Sequence, residues 1–229
     1  MVTNPLSSVS ARVDHRDKIK IMSPQEKERA LQELAKKMCA ELAYDLVRTA
    51  TKCVPGEGNA DADILFIGEA PGRDEDVSGR PFVGRSGQLL RANIRRVGWK
   101  EEDVFIANVV KHRPPENRDP TPEEVAACAP YLDEQIEIID PKLIVTVGRF
   151  GMGKFFPDAK ISGIHGRVFK VAWKGKDRFV FPLYHPAAAL RSTKMKLAFE
   201  TDFDKLPKVL AWIADGAKTK EDEIRDALF

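Results

Sequence analysis

Four short apolar segments, each followed by a loop and a helical pattern, constrain the fold of this chain more than any other feature. They are ADILFIG (62–68), DVFIANVVKH (103–112), KLIVTVG (142–148) and RFVFPLYHP (178–186). Such runs lack the polar–apolar alternation of a half-exposed strand and are typical of strands buried on both faces. Because the runs alternate with helical patterns, the sequence predicts an α/β fold with a parallel sheet covered by helices on both faces.

The helical patterns begin at recognisable caps. Ser23, with Glu26 three residues later, precedes a pattern that continues to about Ala50, and Thr121 precedes another. A last amphipathic pattern covers Lys196 to Trp212. In the absence of a visible interior linker or repeat, we predict an N-terminal arm (1–22), one domain (23–215) and a C-terminal helical tail (216–229).

Composition narrows the protein class. Apolar residues make up 43% and charged residues 31% of the 229 positions, and no apolar run approaches the roughly 20 residues of a membrane span. The N-terminus lacks the apolar core of a secretory signal, so we expect a cytoplasmic protein without membrane contact. Three cysteines cannot all pair, and a reducing compartment disfavours disulfides. We therefore predict Cys39, Cys53 and Cys128 to be buried thiols or metal ligands.

The charge pattern of residues 80–118 has two interpretations. The net charge is only +2, so nucleic-acid binding would depend on a local patch. Basic residues are frequent between Arg80 and Arg118, where acidic residues are fewer. This segment could contact a phosphate backbone, or it could be a solvated helix face followed by a polar loop.

The loop after the first strand has an unusual composition. GEAPGRDEDVSGRPFVG (68–84) contains four glycines, two prolines and four acidic residues. Ligands of open parallel sheets bind at the carboxyl ends of strands, where this loop begins. It lacks the spacing of a phosphate-binding loop, and its carboxylates would repel phosphates. We interpret the glycines as allowing backbone approach to a flat, neutral group, with Phe82 available to stack on it.

Two further polar residues are placed at strand ends. Asn108 lies within an apolar strand, where it could satisfy a neighbouring loop or read the donor–acceptor edge of a base. His185 precedes Pro186 at the end of the fourth strand, where it could act on a substrate or merely pack the strand end.

These loops, in this order, resemble the family 4 uracil-DNA glycosylases of thermophilic bacteria and archaea. The resemblance covers roughly Val54 to Lys208 and rests on VPGEGNADADILFIGEAPGRDEDVSGRPFVG, NVVKHRPPENRDPTPEEVAAC, DPKLIVTVG and YHPAAAL. It implies a three-layer α/β/α fold with a four-stranded parallel sheet. It also implies a monofunctional hydrolase that flips uracil out of single- or double-stranded DNA, acts as a monomer and starts base-excision repair.

The resemblance also implies residue roles. Uracil contacts fall on Gly68, Glu69, Ala70, Phe82, Asn108 and His185. Phe82 would stack on the base, Asn108 would bond its Watson–Crick edge, and His185 would face its O2. Catalytic roles fall on Glu69, Glu75, Asn117 and His185, and DNA contacts on Arg113, Arg118, Leu190 and Arg191. Since only the C5 methyl separates thymine from uracil, we further expect Glu75 and the neighbouring backbone to form the wall that excludes it.

One departure from the family concerns a [4Fe–4S] cluster, which the family binds with four cysteines. Here Cys39 and Cys128 match two ligand positions, while Leu42 and His112 stand at the other two. Cys53 is a displaced third thiol. The cluster could be held by Cys39, Cys53, His112 and Cys128, or it could be lost; no cofactor is needed for the chemistry itself.

Two other functions remain as alternatives. A protein of the same fold could bind or trap uracil-containing DNA without turnover. A nucleotide-binding regulator is a third interpretation, which the missing phosphate motif disfavours.

Overall fold

The four apolar segments lie side by side in one sheet. The structure is a computed structural model and describes residues 22–217. In this part of the chain the strands are β1 (Glu57–Gly58), β2 (Ile64–Gly68), β3 (Phe105–Asn108), β4 (Leu143–Val147), β5 (Phe169–Trp173) and β6 (Lys176–Leu183). Their order across the sheet is β1-β3-β2-β4-β6-β5.

The predicted parallel sheet forms the centre of this larger, mixed sheet. Strands β3, β2, β4 and β6 run parallel to their neighbours, whereas β1 and β5 pair antiparallel with β3 and β6 at the two edges. The β5–β6 hairpin turns at Lys174 and Gly175, both with positive φ, as a tight two-residue hairpin requires. The four-stranded expectation thus omitted two short edge strands.

Helices occupy both faces of the sheet. They are α1 (Pro24–Glu41), α2 (Asp45–Thr49), α3 (Arg73–Ser78), α4 (Arg85–Arg96), α5 (Pro122–Ile139), α6 (Arg149–Gly153), α7 (Ile161–Ile164), α8 (Pro186–Ala189) and α9 (Thr193–Ala214). The first predicted helix is interrupted: α1 ends at Glu41, and the short α2 follows Tyr44. The helix caps predicted at Ser23 and Thr121 are both present, and each forms a capping box.

The core is divided between the two faces of the sheet. On β2, Leu65 and Ile67 join an apolar cluster with α1 and α5, whereas Ile64 and Phe66 join a second cluster with α4 and α9. Because successive strand residues point to opposite faces, one apolar run supplies both clusters. The expected three-layer α/β/α arrangement follows from this double burial.

The predicted arm (1–22) and tail (216–229) lie almost wholly outside the described residues. Within 22–217, no helix is both long enough and apolar enough to span a membrane.

Candidate active site

Loops from three of the parallel strands enclose one cavity at the carboxyl end of the sheet. The cavity has a volume of about 680 Å³ and is lined by residues that follow β2, β3 and β6. It brings together nine of the residues predicted to act on the substrate or on DNA: Glu69, Ala70, Glu75, Phe82, Asn108, Asn117, Arg118, His185 and Arg191. Gly68 lies directly behind the lining, in contact with Phe82 and Asn108.

The inner wall of the cavity is formed by Phe82 and Asn108. Asn108 is the last residue of β3 and is 1% exposed, and its side-chain oxygen is buried without a hydrogen-bond partner. A buried unpartnered amide oxygen is costly in a folded protein. Asn108 lines the cavity beside an aromatic ring, as a site that binds a flat, hydrogen-bonding ligand requires.

Phe82 has an unusual backbone conformation, which its neighbours stabilise. Its φ is 53°, a region that a bulky L-residue seldom adopts. Buried Arg91 donates to the carbonyl oxygens of Pro81 (2.7 Å) and Phe82 (2.8 Å), and it also pairs with Glu57 and Glu101. The ring centroid of Phe82 lies 6.2 Å from that of His185.

Glu75 connects the two ends of the glycine-rich loop. One carboxylate oxygen accepts the amide N–H groups of Val83 and Gly84, both at 2.8 Å, and the other accepts that of Gly72 at 3.0 Å. These three bonds fix the segment next to Phe82. The contacts are those of a positioning residue. Its predicted roles in catalysis and as a wall against thymine stay predictions.

The glycines of this loop also allow close packing within the protein. A Cβ on Gly68 would collide with the Phe82 ring and the Asn108 amide oxygen, and a Cβ on Gly72 or Gly84 would crowd the Glu75 carboxylate. Side chains of the protein therefore occupy the space into which a Cβ of these glycines would point. Backbone approach of a ligand to the glycines stays a prediction.

His185 is held in a defined tautomer. Its Nδ1 accepts the backbone N–H of Ala187 at 3.2 Å in the first turn of α8. Burial, reinforced by the charge of Arg191 and opposed by Glu75, lowers the pKa of His185 to about 4. The ring is therefore neutral near pH 7, and its proton resides on Nε2.

Glu69 belongs to a charged group at the rim of the cavity. Burial and the nearby Asp119 raise the pKa of its carboxyl, while Arg149 opposes this effect. Arg149 forms an ion pair with Asp119. The carbonyl oxygens of Gly68 and Glu69 accept the amides of Val109 and Val110, which ties the ends of β2 and β3 together.

Sequence reasoning missed Arg91 and Arg149. Arg91 occupies a core position in the helical pattern Gly87, Leu90, Arg91, Ile94, and a charged residue in an apolar stripe was a usable signal. Arg149 follows β4 directly, at the same edge of the sheet as the other site residues.

The loop after β3 contains a short helical turn. Pro115–Asn117 form a 3₁₀ turn, and Glu116 and Asn117 have positive φ. The side-chain oxygen of Asn117 accepts from Arg113 at 2.8 Å. Arg118 forms a bidentate pair with Glu124, which is 5% exposed. Arg113 and Arg118 are thus engaged within the protein, while their DNA contacts stay predictions.

Leu190 and Arg191 follow α8 and lie on the surface beside the cavity. Leu190 is 44% exposed, and Arg191 is exposed as well as lining the cavity. An exposed leucine next to an arginine suits insertion into a duplex.

The basic segment between Arg80 and Arg118 is largely neutralised within the protein. Its ion pairs join Arg80 with Glu57, Arg91 with Glu57 and Glu101, Arg95 with Glu101, Arg96 with Asp204, and Arg118 with Glu124. The structure therefore favours the interpretation of a solvated, internally paired surface for most of this segment.

The cysteine prediction was wrong for two of the three residues. Cys39 of α1 and Cys53 form a disulfide with Cα atoms 5.6 Å apart, and Cys128 is a buried free thiol. The expectation rested on the redox compartment, which does not determine whether two side chains meet.

The four candidate cluster ligands do not fit a [4Fe–4S] cluster in this arrangement. Two are bonded to each other. The Tyr44 hydroxyl lies between the other two, at 2.9 Å from His112 Nδ1 and 3.4 Å from Cys128 Sγ. Burial raises the pKa of Cys128, which favours the thiol over the thiolate that iron requires. Within residues 22–217, no cluster of three or more His, Cys, Asp or Glu side chains is placed to hold a metal.

Comparison with known proteins agrees with this architecture. Residues 55–210 match the model of the uracil DNA glycosylase superfamily. A type-4 uracil-DNA glycosylase of Archaeoglobus fulgidus is 44% identical over 182 residues, covering 77% of this chain and 92% of that protein. Those of Sulfurisphaera tokodaii (49% over 164 residues; 68% and 74% covered) and Thermotoga maritima (47% over 161 residues; 70% and 82%) are also similar. The chain therefore belongs to the uracil-DNA glycosylase superfamily and, within it, to the type-4 family.

Proposed function

We propose that this protein is a monofunctional uracil-DNA glycosylase that flips uracil out of DNA and hydrolyses its N-glycosidic bond, which starts base-excision repair. The observation that carries the proposal is the unpartnered amide oxygen of Asn108, which lies beside the Phe82 ring in a cavity that also contains His185. Uracil offers what these groups lack: a flat face for the ring and an N–H for the amide oxygen.

Recognition of the base is assigned to the inner wall. Phe82 stacks on uracil, while the Asn108 amide bonds its Watson–Crick edge. Glu69 and Ala70 form the adjoining backbone surface, with Gly68 directly behind it. Glu75 fixes the Phe82 segment through its three backbone bonds, and the exclusion of thymine depends on how closely that segment approaches C5. A hydrophobic pocket alone distinguishes a methyl group by only about 1–3 kcal/mol, so steric exclusion is needed.

His185 is assigned to the leaving group. As the N-glycosidic bond breaks, negative charge develops on uracil, and a neutral imidazole can donate its Nε2–H to O2. Because Ala187 fixes Nδ1 as the acceptor, the donor is oriented before the reaction. An oriented donor of this kind lowers the barrier by about 3 kcal/mol.

Glu69 is assigned to the sugar side of the reaction, with Asn117 as its neighbour in the cavity. Water attacks C1′ as uracil departs with the bonding electrons, and the proton lost by water passes to the carboxylate. A raised pKa makes Glu69 a better proton acceptor than an ordinary surface glutamate. The same carboxylate stabilises positive charge on the sugar.

DNA is assigned to the surface beside the cavity. Leu190 and Arg191 enter the space that the flipped nucleotide leaves, while Arg113 and Arg118 lie near the phosphates. Single- and double-stranded DNA both fit this arrangement, and a monomer suffices because all assigned residues belong to one chain. A cytoplasmic, intracellular location is part of this proposal, since the proposed substrate is DNA.

We also propose that the Cys39–Cys53 disulfide and the Tyr44–His112–Cys128 hydrogen bonds replace the family's cluster. These contacts link α1, the segment before β1, the loop after β3, and α5. Contacts within the protein would therefore stabilise the region that the cluster stabilises in the family. No step assigned above uses iron.

The alternative is a protein that traps uracil-containing DNA without turnover. Incubation with a tenfold excess of an oligonucleotide containing one uracil, followed by alkali, separates the two functions. A glycosylase should cleave most of the DNA at uracil, whereas a trap should yield at most one product per protein molecule. An intact strand across salt concentrations and temperatures would contradict both catalysis and the assigned roles.

A further inference from the structure

Lys111 is a buried lysine to which the mechanism assigns no role. It is 0% exposed, and no carboxylate within residues 22–217 forms an ion pair with it. Burying an ammonium group is costly unless hydrogen bonds replace its hydration. A lysine that only filled space would be less favourable here than a leucine or methionine.

The Lys111 ammonium connects three segments of the protein. Nζ donates to the carbonyl oxygen of Asn108 at 2.9 Å, to the side-chain oxygen of Gln135 at 2.7 Å and, at a longer 3.4 Å, to the carbonyl oxygen of Pro55. Gln135 lies on α5 and also donates to Pro55. The network therefore joins the end of β3 to α5 and to the segment before β1.

The hydrogen bond from Lys111 reaches the carbonyl oxygen of Asn108 at the point where the pairing of β3 with β2 ends. Asn108 ends β3, and the chain then leaves the strand through Val109 and Val110, whose amides bond the end of β2. Lys111 supplies a donor to the carbonyl of the residue whose side chain forms the inner wall of the cavity. A bond to this carbonyl restrains the peptide plane between Asn108 and Val109, and so it restrains the backbone from which the Asn108 side chain projects.

We propose that Lys111 is a positioning residue that aims the Asn108 amide into the cavity through the Asn108 backbone. The inference rests on the proposed function for the identity of the ligand, uracil, but not for the geometry. Displacement of a catalytic contact by about 1 Å can cost about a hundredfold in rate. Loss of the ammonium should therefore act through Asn108 and should lose its effect once the Asn108 amide is absent.

The test compares Lys111→Met with Gln135→Leu, which disturbs the same network without touching Asn108. Lys111→Met should lower the single-turnover rate of uracil release by about tenfold or more. In an Asn108→Ala background it should change the rate less than twofold. Gln135→Leu should lower the melting temperature and leave the rate of the folded protein near that of the wild type. Lys111→Gln keeps a hydrogen-bond donor and should retain more activity than Lys111→Met. It replaces Lys111→Met in the comparison if the methionine variant does not fold.

A second readout does not depend on activity. The side-chain ¹⁵N–¹H resonances of Asn108, assigned by their loss in Asn108→Ala, should move in Lys111→Met and stay unchanged in Gln135→Leu. If the wild type releases no uracil, the proposed function fails, while these resonances still decide the role of Lys111. Additive rate losses in the double variant, or unchanged Asn108 resonances in Lys111→Met, would overturn the inference.

Discussion

At the scale of single residues, the candidate site depends on groups that are held in uncommon states. Phe82 has a positive φ, the Asn108 oxygen has no partner, and His185 has a strongly lowered pKa. Each state is unfavourable alone and is imposed by neighbours such as Arg91. Costly states that cluster around one cavity are typical of a functional site.

Replacing His185 with alanine separates catalysis from packing. His185→Ala should lower the single-turnover rate about a hundredfold, because a donor worth about 3 kcal/mol is lost as the anion forms. DNA affinity should change much less, since the interaction strengthens only in the transition state. Rate, affinity and melting temperature are measured on one preparation. A folded variant with a near-normal rate would show that His185 only packs the strand end.

The burial of His185 predicts the pH range in which its ring becomes protonated. Its folded pKa of about 4 is below the usual value of about 6.5, so the neutral form is favoured by folding. The resulting stabilisation is present above about pH 6.5 and is lost as the pH falls through 4. In an NMR titration, the His185 ring resonances should stay constant from pH 8 to about 5. A midpoint near 6.5 would contradict both the burial and the fixed tautomer.

At the scale of elements, the strands and caps were predictable and the loops between them were not. Apolar runs and the Ser23 and Thr121 caps are local signals, so β2, β4 and α5 were found from sequence. The glycine-rich loop was located correctly, but the packing role of its glycines was not predicted. Their neighbours, such as Glu75 and Phe82, are brought close by tertiary folding, which no local pattern reports. The disulfide escaped prediction for the same reason.

Glu75 should control the shape of this loop. Glu75→Gln removes the charge and one acceptor from a carboxylate that binds three backbone amides. Hydrogen bonds to charged groups contribute about 1.5–3 kcal/mol each, so the melting temperature should fall by several degrees. Uracil release should also slow because Phe82 loses its support. The neighbouring variant Asp74→Asn, at an exposed side chain, should leave the melting temperature unchanged; equal effects of both would contradict the assigned role.

The disulfide predicts a thiol count. The native protein should contain one free thiol per chain, Cys128, and three after unfolding with a reductant. Cys39→Ser should lower stability by about 3 kcal/mol, since the bond closes a short loop in the unfolded chain. Cys128→Ser should not cause this loss of stability, because Cys128 is not part of the disulfide. Iron bound in stoichiometric amount, with absorbance near 400 nm that Cys128→Ser removes, would contradict the proposed replacement of the cluster.

At the scale of the whole molecule, the arrangement of the sheet explains why distant residues meet. Gly68, Asn108 and His185 are separated by many residues, yet each lies at or next to the carboxyl end of a parallel strand. This rule predicted which loops would meet, while most individual cavity residues were predicted from the resemblance to the family. The ion pairs that neutralise the basic segment were not predictable, because Glu57 and Asp204 come from remote parts of the chain.

The most direct measurement of the central proposal is the release of free base from DNA. Purified protein, without added metal or nucleotide, is incubated with a duplex that contains one uracil and with a matched duplex that contains thymine. Chromatography then measures the free bases, and alkali measures the abasic sites. We expect uracil and abasic sites in equal amounts from the first duplex, with no thymine from the second. Absence of free uracil, or appreciable release of thymine, would contradict the account.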